Sequence, residues 1–184
     1  MRWERLFADL EAQADVLAAA ELDAEVAERS RAEYGRLALT DRLRAAVGQP
    51  LRLAVLGVGD IRGELLQVGV DWLLFRETAS REVLIRLAAV TSVSGLGAAT
   101  AAARALGPVE YTLDLRRSLR ELGRDRAPVV LQLVDGGLVG GTIDRVGADF
   151  VEVAEHPPGE PRRAGAVRSV HTVVITAIAA VRSY

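Results

Sequence analysis

The sequence predicts a mainly β protein with a helical N-terminal arm (α+β), built as two tandem five-stranded small barrels, each preceded by a helix. Three observations carry that expectation. A ten-residue pattern occurs twice, as GELLQVGVDW at Gly63–Trp72 and as GTIDRVGADF at Gly141–Phe150. Each copy sits among short apolar, β-branched runs broken by glycine turns. Each copy also follows a segment of helical periodicity that opens on threonine and stops at glycine.

The repeat extends well beyond the decapeptide. Gly63 falls on Gly141, an offset of 78, and at that offset Leu51, Leu53 and Val55 fall on Val129, Leu131 and Leu133. A second block, IRLAAVTSV at Ile85–Val93, matches VVITAIAAV at Val173–Val181 at an offset of 88. The ten additional residues lie in the Pro-, Gly- and charge-rich stretch EHPPGEPRRAG, which has loop chemistry. Matching blocks separated by a loop-like insertion indicate internal duplication.

Each copy divides into strands. LRLAVL and VVLQLV are β-rich, and the second ends in Asp135-Gly136-Gly137, suited to a tight hairpin turn. Gly63 and Gly141 open a second strand and let it bend. Asp71 and Asp149 are suited to bonding turn amides. WLLFRE and FVEVAE form third strands, REVLIR and RSVHTVVI fourth, TSV and AAV short fifth strands. Five strands in so short a segment are expected to close into a barrel rather than stay an open sheet. The helices before them run from Thr40 to Gly48 and from Thr112 to Gly123. The expected organisation is a helical arm at 1–39, helix plus first barrel at 40–96, a helical connector at 97–127 and a second barrel at 128–184.

In the arm, Trp3, Leu6, Phe7, Leu10, Ala14 and Leu17 recur at helical spacing, and a second, charged helical stretch ends at Gly35. Its polar side is acid-rich, which disfavours a membrane-surface helix. The N-terminal residues lack the apolar core of a signal peptide, and no run reaches the roughly 18–20 apolar residues of a membrane span. A cytoplasmic location is expected.

Helix, five strands, the G-x-Φ-x-x-VG-x-D pattern and a closing ΦxAΦxxV resemble the Sm-like branch of the SH3-type small barrels, from Thr40 to the end. The chain is similar in particular to bacterial tandem small-barrel proteins, some of them labelled transcriptional regulators. The resemblance implies edge-to-edge association through fourth and fifth strands, and RNA binding. The family's RNA pocket uses an asparagine four residues after the motif aspartate, where Phe75 and Val153 stand. The chain contains no asparagine at all.

Other chemistries fare poorly. All 23 basic residues are arginine, consistent with GC-biased coding, and the net charge is −2, so no strong field recruits polyanions. No cysteine is present, which removes disulfides, thiolate metal sites and cysteine nucleophiles. LGVGDIRG places Arg62 where a dinucleotide fingerprint needs its third glycine. His156 and His171 share no metal-ligand spacing and are expected in a solvated loop and on an edge strand. Asp144, Asp149, Glu152 and Glu155 read as a solvated acidic face. No serine occupies a nucleophile elbow. No catalytic residue, cofactor or metal is expected.

Two features remain. Arg117, Arg120 and Arg124 fall at i, i+3 and i+7 on the connector helix, in a stretch (96–127) with six arginines against four acids. They are candidate phosphate contacts for RNA or DNA. The apolar run VHTVVITAIAAV presents a candidate oligomer edge at Val173, Val174 and Ile175, and Trp3, Phe7 and Leu10 a candidate arm interface. The leading expectation is a non-catalytic interaction or scaffold protein, pairing with a protein partner or with itself through strand edges and the arm. The alternative is a nucleic-acid-binding regulator.

Overall fold

The computed structural model describes residues 2–97, 114–156 and 167–183, and within residues 2–19 the side chains of Phe7 and Leu17 only. The chain divides into two compact units, Met1–Leu39 and Thr40–Tyr184. The first is one continuous helix, α1 (Arg2–Tyr34), where the sequence suggests two helical stretches. At 1.5 Å per residue it runs about 50 Å. Among its described side chains Phe7, Leu17, Leu22 and Val26 are exposed.

The second unit contains α2 (Leu39–Ala45), α3 (Leu115–Asp125) and ten strands. These are β1 (Pro50–Val55), β2 (Gly59–Val68), β3 (Trp72–Thr78), β4 (Arg81–Arg86) and β5 (Val90–Ser94), then β6 (Pro128–Leu133), β7 (Leu138–Val146), β8 (Phe150–Glu155), β9 (Ser169–Val174) and β10 (Ile178–Ser183). All ten belong to one sheet, in the order β5-β1-β2-β3-β4-β10-β6-β7-β8-β9. Every neighbouring pair is antiparallel.

This topology overturns the expectation of two closed five-stranded barrels, and with it the Sm-like and SH3-like resemblance. The protein is mainly β with helical elements, but the sheet is single and open. The expectation assumed that five strands must close on themselves to satisfy their edges. Here each set satisfies an edge of the other: β4 of the first pairs with β10 of the second, with Leu84 opposite Val181. Joining the sets removes the need for closure.

The duplication itself is written into the sheet at the level of register. β5 lies on β1 with Val93 opposite Leu53, and β10 lies on β6 with Val181 opposite Leu131. The second strand slips by one residue between Leu65 and Gln67, and its counterpart between Ile143 and Arg145. Short 3-10 turns at Leu87–Ala89 and Ile175–Ala177 occupy matching places. Gly63 and Gly141 lie inside their strands rather than opening them. A methyl group at either would overlap the carbonyl of the next strand, Arg76 or Ala154.

Two apolar clusters fill the unit, and the seam strands contribute to both. Leu43 of α2 packs with Leu53, Leu65, Phe75 and Ile85, and also with Ala179 and Ala180 of β10. Leu115 and Leu119 of α3 pack with Leu131, Ile143 and Val153, and also with Trp72 and Leu84 from the first set.

The helix ends differ from expectation. Thr40 lies inside α2, and Thr112 lies outside the described residues. Asp114 is the N-cap of α3, its Oδ1 accepting the Arg117 amide at 2.8 Å. Gly123 does not stop α3 but lets it approach β7, because a Cβ there would meet Ile143 Cγ2 at 3.2 Å. The stop falls at Arg126, whose φ of 50° is left-handed. The Asp71 side chain accepts the Leu115 amide at 2.8 Å and ties the first set to the start of α3.

A non-glycine residue in the left-handed region costs about 1 kcal/mol. Arg126→Gly is therefore expected to raise unfolding stability by about 0.5–1 kcal/mol, whereas Gly141→Ala lowers it by about 1–3 kcal/mol through backbone overlap. Denaturant titration of both variants checks the pair.

Candidate functional site

The open sheet leaves two strand edges without a neighbour among the described residues, β5 at one end and β9 at the other. An unpaired edge presents a row of backbone donors and acceptors that readily takes up another strand. The two edges are not alike in their side chains. In β9, Val173 is buried while Val170 and Val174 are 56% and 51% exposed, so apolar surface flanks bare backbone. In β5, Thr91, Ser92 and Ser94 are exposed and Val93 is half-buried.

Of the expected edge residues, Val173 and Val174 lie on β9, while Ile175 has left the strand and begins the following 3-10 turn. The Ile175 amide donates to the Asp149 carbonyl at 2.8 Å. Phe7 of the arm is exposed; the Trp3 and Leu10 side chains lie outside the described residues.

A polar cluster anchors the start of β9. Ser169 Oγ donates to Glu155 Oε2 at 2.7 Å, and His171 Nε2 lies 2.9 Å from that same oxygen. His171 Nε2 is also 2.9 Å from Ser169 Oγ. Serine, histidine and carboxylate thus converge, but not as a nucleophile relay. A relay needs the acid on one ring nitrogen and the serine on the other, and here both fall on Nε2. The hydrogen bonds from His171 and then Ser169 hold the Glu155 carboxyl below its usual range.

His156 is not a solvated loop residue. It is 6% exposed, with Nε2 2.8 Å from Thr142 Oγ1. Its burial was not visible in the sequence, because the prolines that follow it suggest a loop. The rest of that insertion, 157–166, lies outside the described residues. Among the described residues no group of three or more His, Asp or Glu side chains is placed to hold a metal ion. No helix among them is long and apolar enough to cross a membrane.

Arg117, Arg120 and Arg124 are all exposed on α3. Glu121 pairs with Arg124, at 2.9 Å. Arg120 and Arg124 border a shallow depression of about 250 Å³ between α3 and β7, and Arg145 joins them on its rim beside the acidic Asp144. Arg117 is not part of it. Arg145 was missed by the sequence reading because it sits on a strand, outside the helical period that singled out the other three.

In comparison with known proteins, the chain matches no family model and no curated protein.

A depressed folded-state pKa means that the Glu155 contribution to β9 anchoring is in place above the unfolded pKa and is lost as the pH falls through the folded one. In His171→Ala the Glu155 carboxyl is expected to titrate closer to its ordinary value of 4.5. Carboxyl-detected NMR titration of the two proteins checks this.

Proposed function

We propose that the protein is a non-catalytic interaction protein of the cytoplasm, with no membrane association, that assembles through the open edges of its sheet and through its helical arm. The observation that carries this reading is β9: an edge strand with no neighbour among the described residues, flanked by exposed Val170 and Val174. Proteins usually blunt such edges with charge, proline or a covering element. β9 (Ser169–Val174) has a single histidine and no proline. The arm supports the same reading, with Phe7, Leu17, Leu22 and Val26 all exposed on one long helix. Light scattering across a concentration series is expected to give a mass above that of one chain. Val174→Asp, which places a carboxylate on the edge, is expected to weaken that association about tenfold. A single-chain mass at every concentration, unaltered by the substitution, sinks the reading.

A nucleic-acid-binding role is the second reading, favoured by the rim arginines Arg120, Arg124 and Arg145. Among the described residues no aromatic side chain lines the depression to stack bases, so such binding would be carried by phosphate contacts. Replacing the three arginines by alanine is then expected to weaken binding to RNA and DNA alike and to flatten its dependence on salt. Filter binding across a salt series checks both effects.

A further inference from the structure

The two open edges are copies of the two strands that already pair with each other inside the chain. By register, β5 stands to β1 as β10 stands to β6: Leu53 faces Val93 and Leu131 faces Val181. Likewise β4 stands to β3 as β9 stands to β8: Leu73 faces Ile85 and Val151 faces Val173. The internal seam joins β4 to β10. The strands without a neighbour among the described residues are therefore the counterparts of β10 and β4, namely β5 and β9.

We propose that the partner of β9 is β5 of a second copy of this chain, in the register of the internal seam. This rests on the reading that the protein assembles through its sheet edges, and it names the occupant. The seam sets Ala180 opposite Ile85, Val181 opposite Leu84 and Arg182 opposite Val83. Carried over by the repeat, Ser92 of one copy faces Val173 of the next, Val93 faces Thr172, and Ser94 faces His171. The contact is heterologous, head to tail, so each copy offers one edge of each kind and the assembly grows until it closes or is capped.

The side chains at the two edges show how this joint differs from its template. The seam is dry and clamped. Val83, Leu84 and Ile85 are buried in β4, and Ile178 through Val181 are buried in β10. Arg182 grips both Glu77 oxygens, at 2.8 and 3.2 Å, and Arg86 Nε donates to the Ile178 carbonyl at 2.6 Å. At the open edges Val93 and Val173 keep the apolar character of Val181 and Ile85, while other seam groups are softened. Thr172 replaces Leu84, Ser92 replaces Ala180, Ser94 replaces Arg182 and Val174 replaces Arg86. Glu155, the counterpart of Glu77, is held by Ser169 and His171 of its own chain. The joint between copies keeps the backbone ladder and loses the arginine clamps, so it is reversible where the seam is permanent.

Because the chain contains no cysteine, single introduced thiols report on it directly. Directly opposed strand residues have Cα atoms about 4.5–5.5 Å apart, within the roughly 4.4–6.8 Å a disulfide spans. Val93→Cys and Thr172→Cys proteins, mixed under mild oxidation, are expected to form a cross-linked pair. Val93→Cys mixed with Val170→Cys, two residues out of register, is expected to form far less. Ser94→Arg, which restores the counterpart of Arg182 opposite Glu155, is expected to tighten self-association about fivefold, and Glu155→Gln to remove that gain. Circular dichroism of each variant confirms that it is folded, and the arginine variant keeps the test decisive should a cysteine variant misfold. Cross-linking that does not discriminate register, or association that ignores Ser94→Arg, overturns the β5–β9 pairing. If the mass nonetheless exceeds one chain, edge or arm assembly by another route stands; a single-chain mass throughout removes both.

Discussion

The pairing of β4 with β10 is the interaction on which the rest of this protein depends. It turns two five-stranded sets into one sheet, and it does so with strands buried on both faces. Antiparallel strands more often bury one face and leave the other in water; here Val83, Leu84 and Ile85 of β4 and Ile178 through Val181 of β10 are buried in succession. In β4 Val83 and Ile85 enter one apolar cluster and Leu84 the other, and in β10 Ala179 and Ala180 enter the first and Ile178 and Val181 the second, so neither cluster is complete without residues from the other set. The Arg182–Glu77 clamp works in the same place. Its side chains are each 18% exposed, and a bidentate guanidinium–carboxylate pair shielded to that degree holds register better than a solvated pair would.

The same seam explains why the sheet stays open. Closure of five strands into a barrel would be one way to satisfy the edges of β4 and β5. The duplication supplies another, by offering β4 a strand of the second set. The cost is that two edges of the doubled sheet are left over, and the sequence treats them differently from the seam. Hydroxyl-bearing residues replace leucine and alanine at the positions that would otherwise be dry. The surface chemistry of β5 and β9 is thus what distinguishes an end of the sheet from its middle, although both are built from one repeated plan.

Much of this was legible in the amino-acid sequence, and the limits are instructive. The repeated decapeptide, the two offsets and the strand spacing located all ten strands, because glycine turns and alternating apolar residues report local backbone directly. The pairing of β4 with β10 was not legible. It is a contact between residues nearly a hundred positions apart, and the same apolar run VLI in β4 suits the inside of a barrel as well as a seam. Helix ends were misread for a related reason. Gly123 looks like a stop because glycine usually is one, but here its missing side chain admits Ile143. Arg126 takes the left-handed position that glycine takes at Gly48 in the first copy. Burial of His156 likewise depends on Thr142, fourteen residues earlier on another strand. That Val173 and Val174 lie on a strand was legible because an apolar, β-branched run is visible locally. Arg145 was overlooked because it meets Arg120 and Arg124 only once α3 has packed on β7.

The long reach of the seam bears on how the chain is made. Residues 83–85 wait for residues 180–182, so throughout synthesis of the intervening segment β4 is a finished strand with a bare flank. At ribosomal rates of roughly 5–20 residues per second, that interval lasts several seconds, far longer than a hairpin needs to form. In that window the nascent first set has the same unsatisfied flank as its neighbours on a polysome. The arginine clamp at Glu77, available only from β10, then serves to favour the chain's own late strand over a stranger's early one.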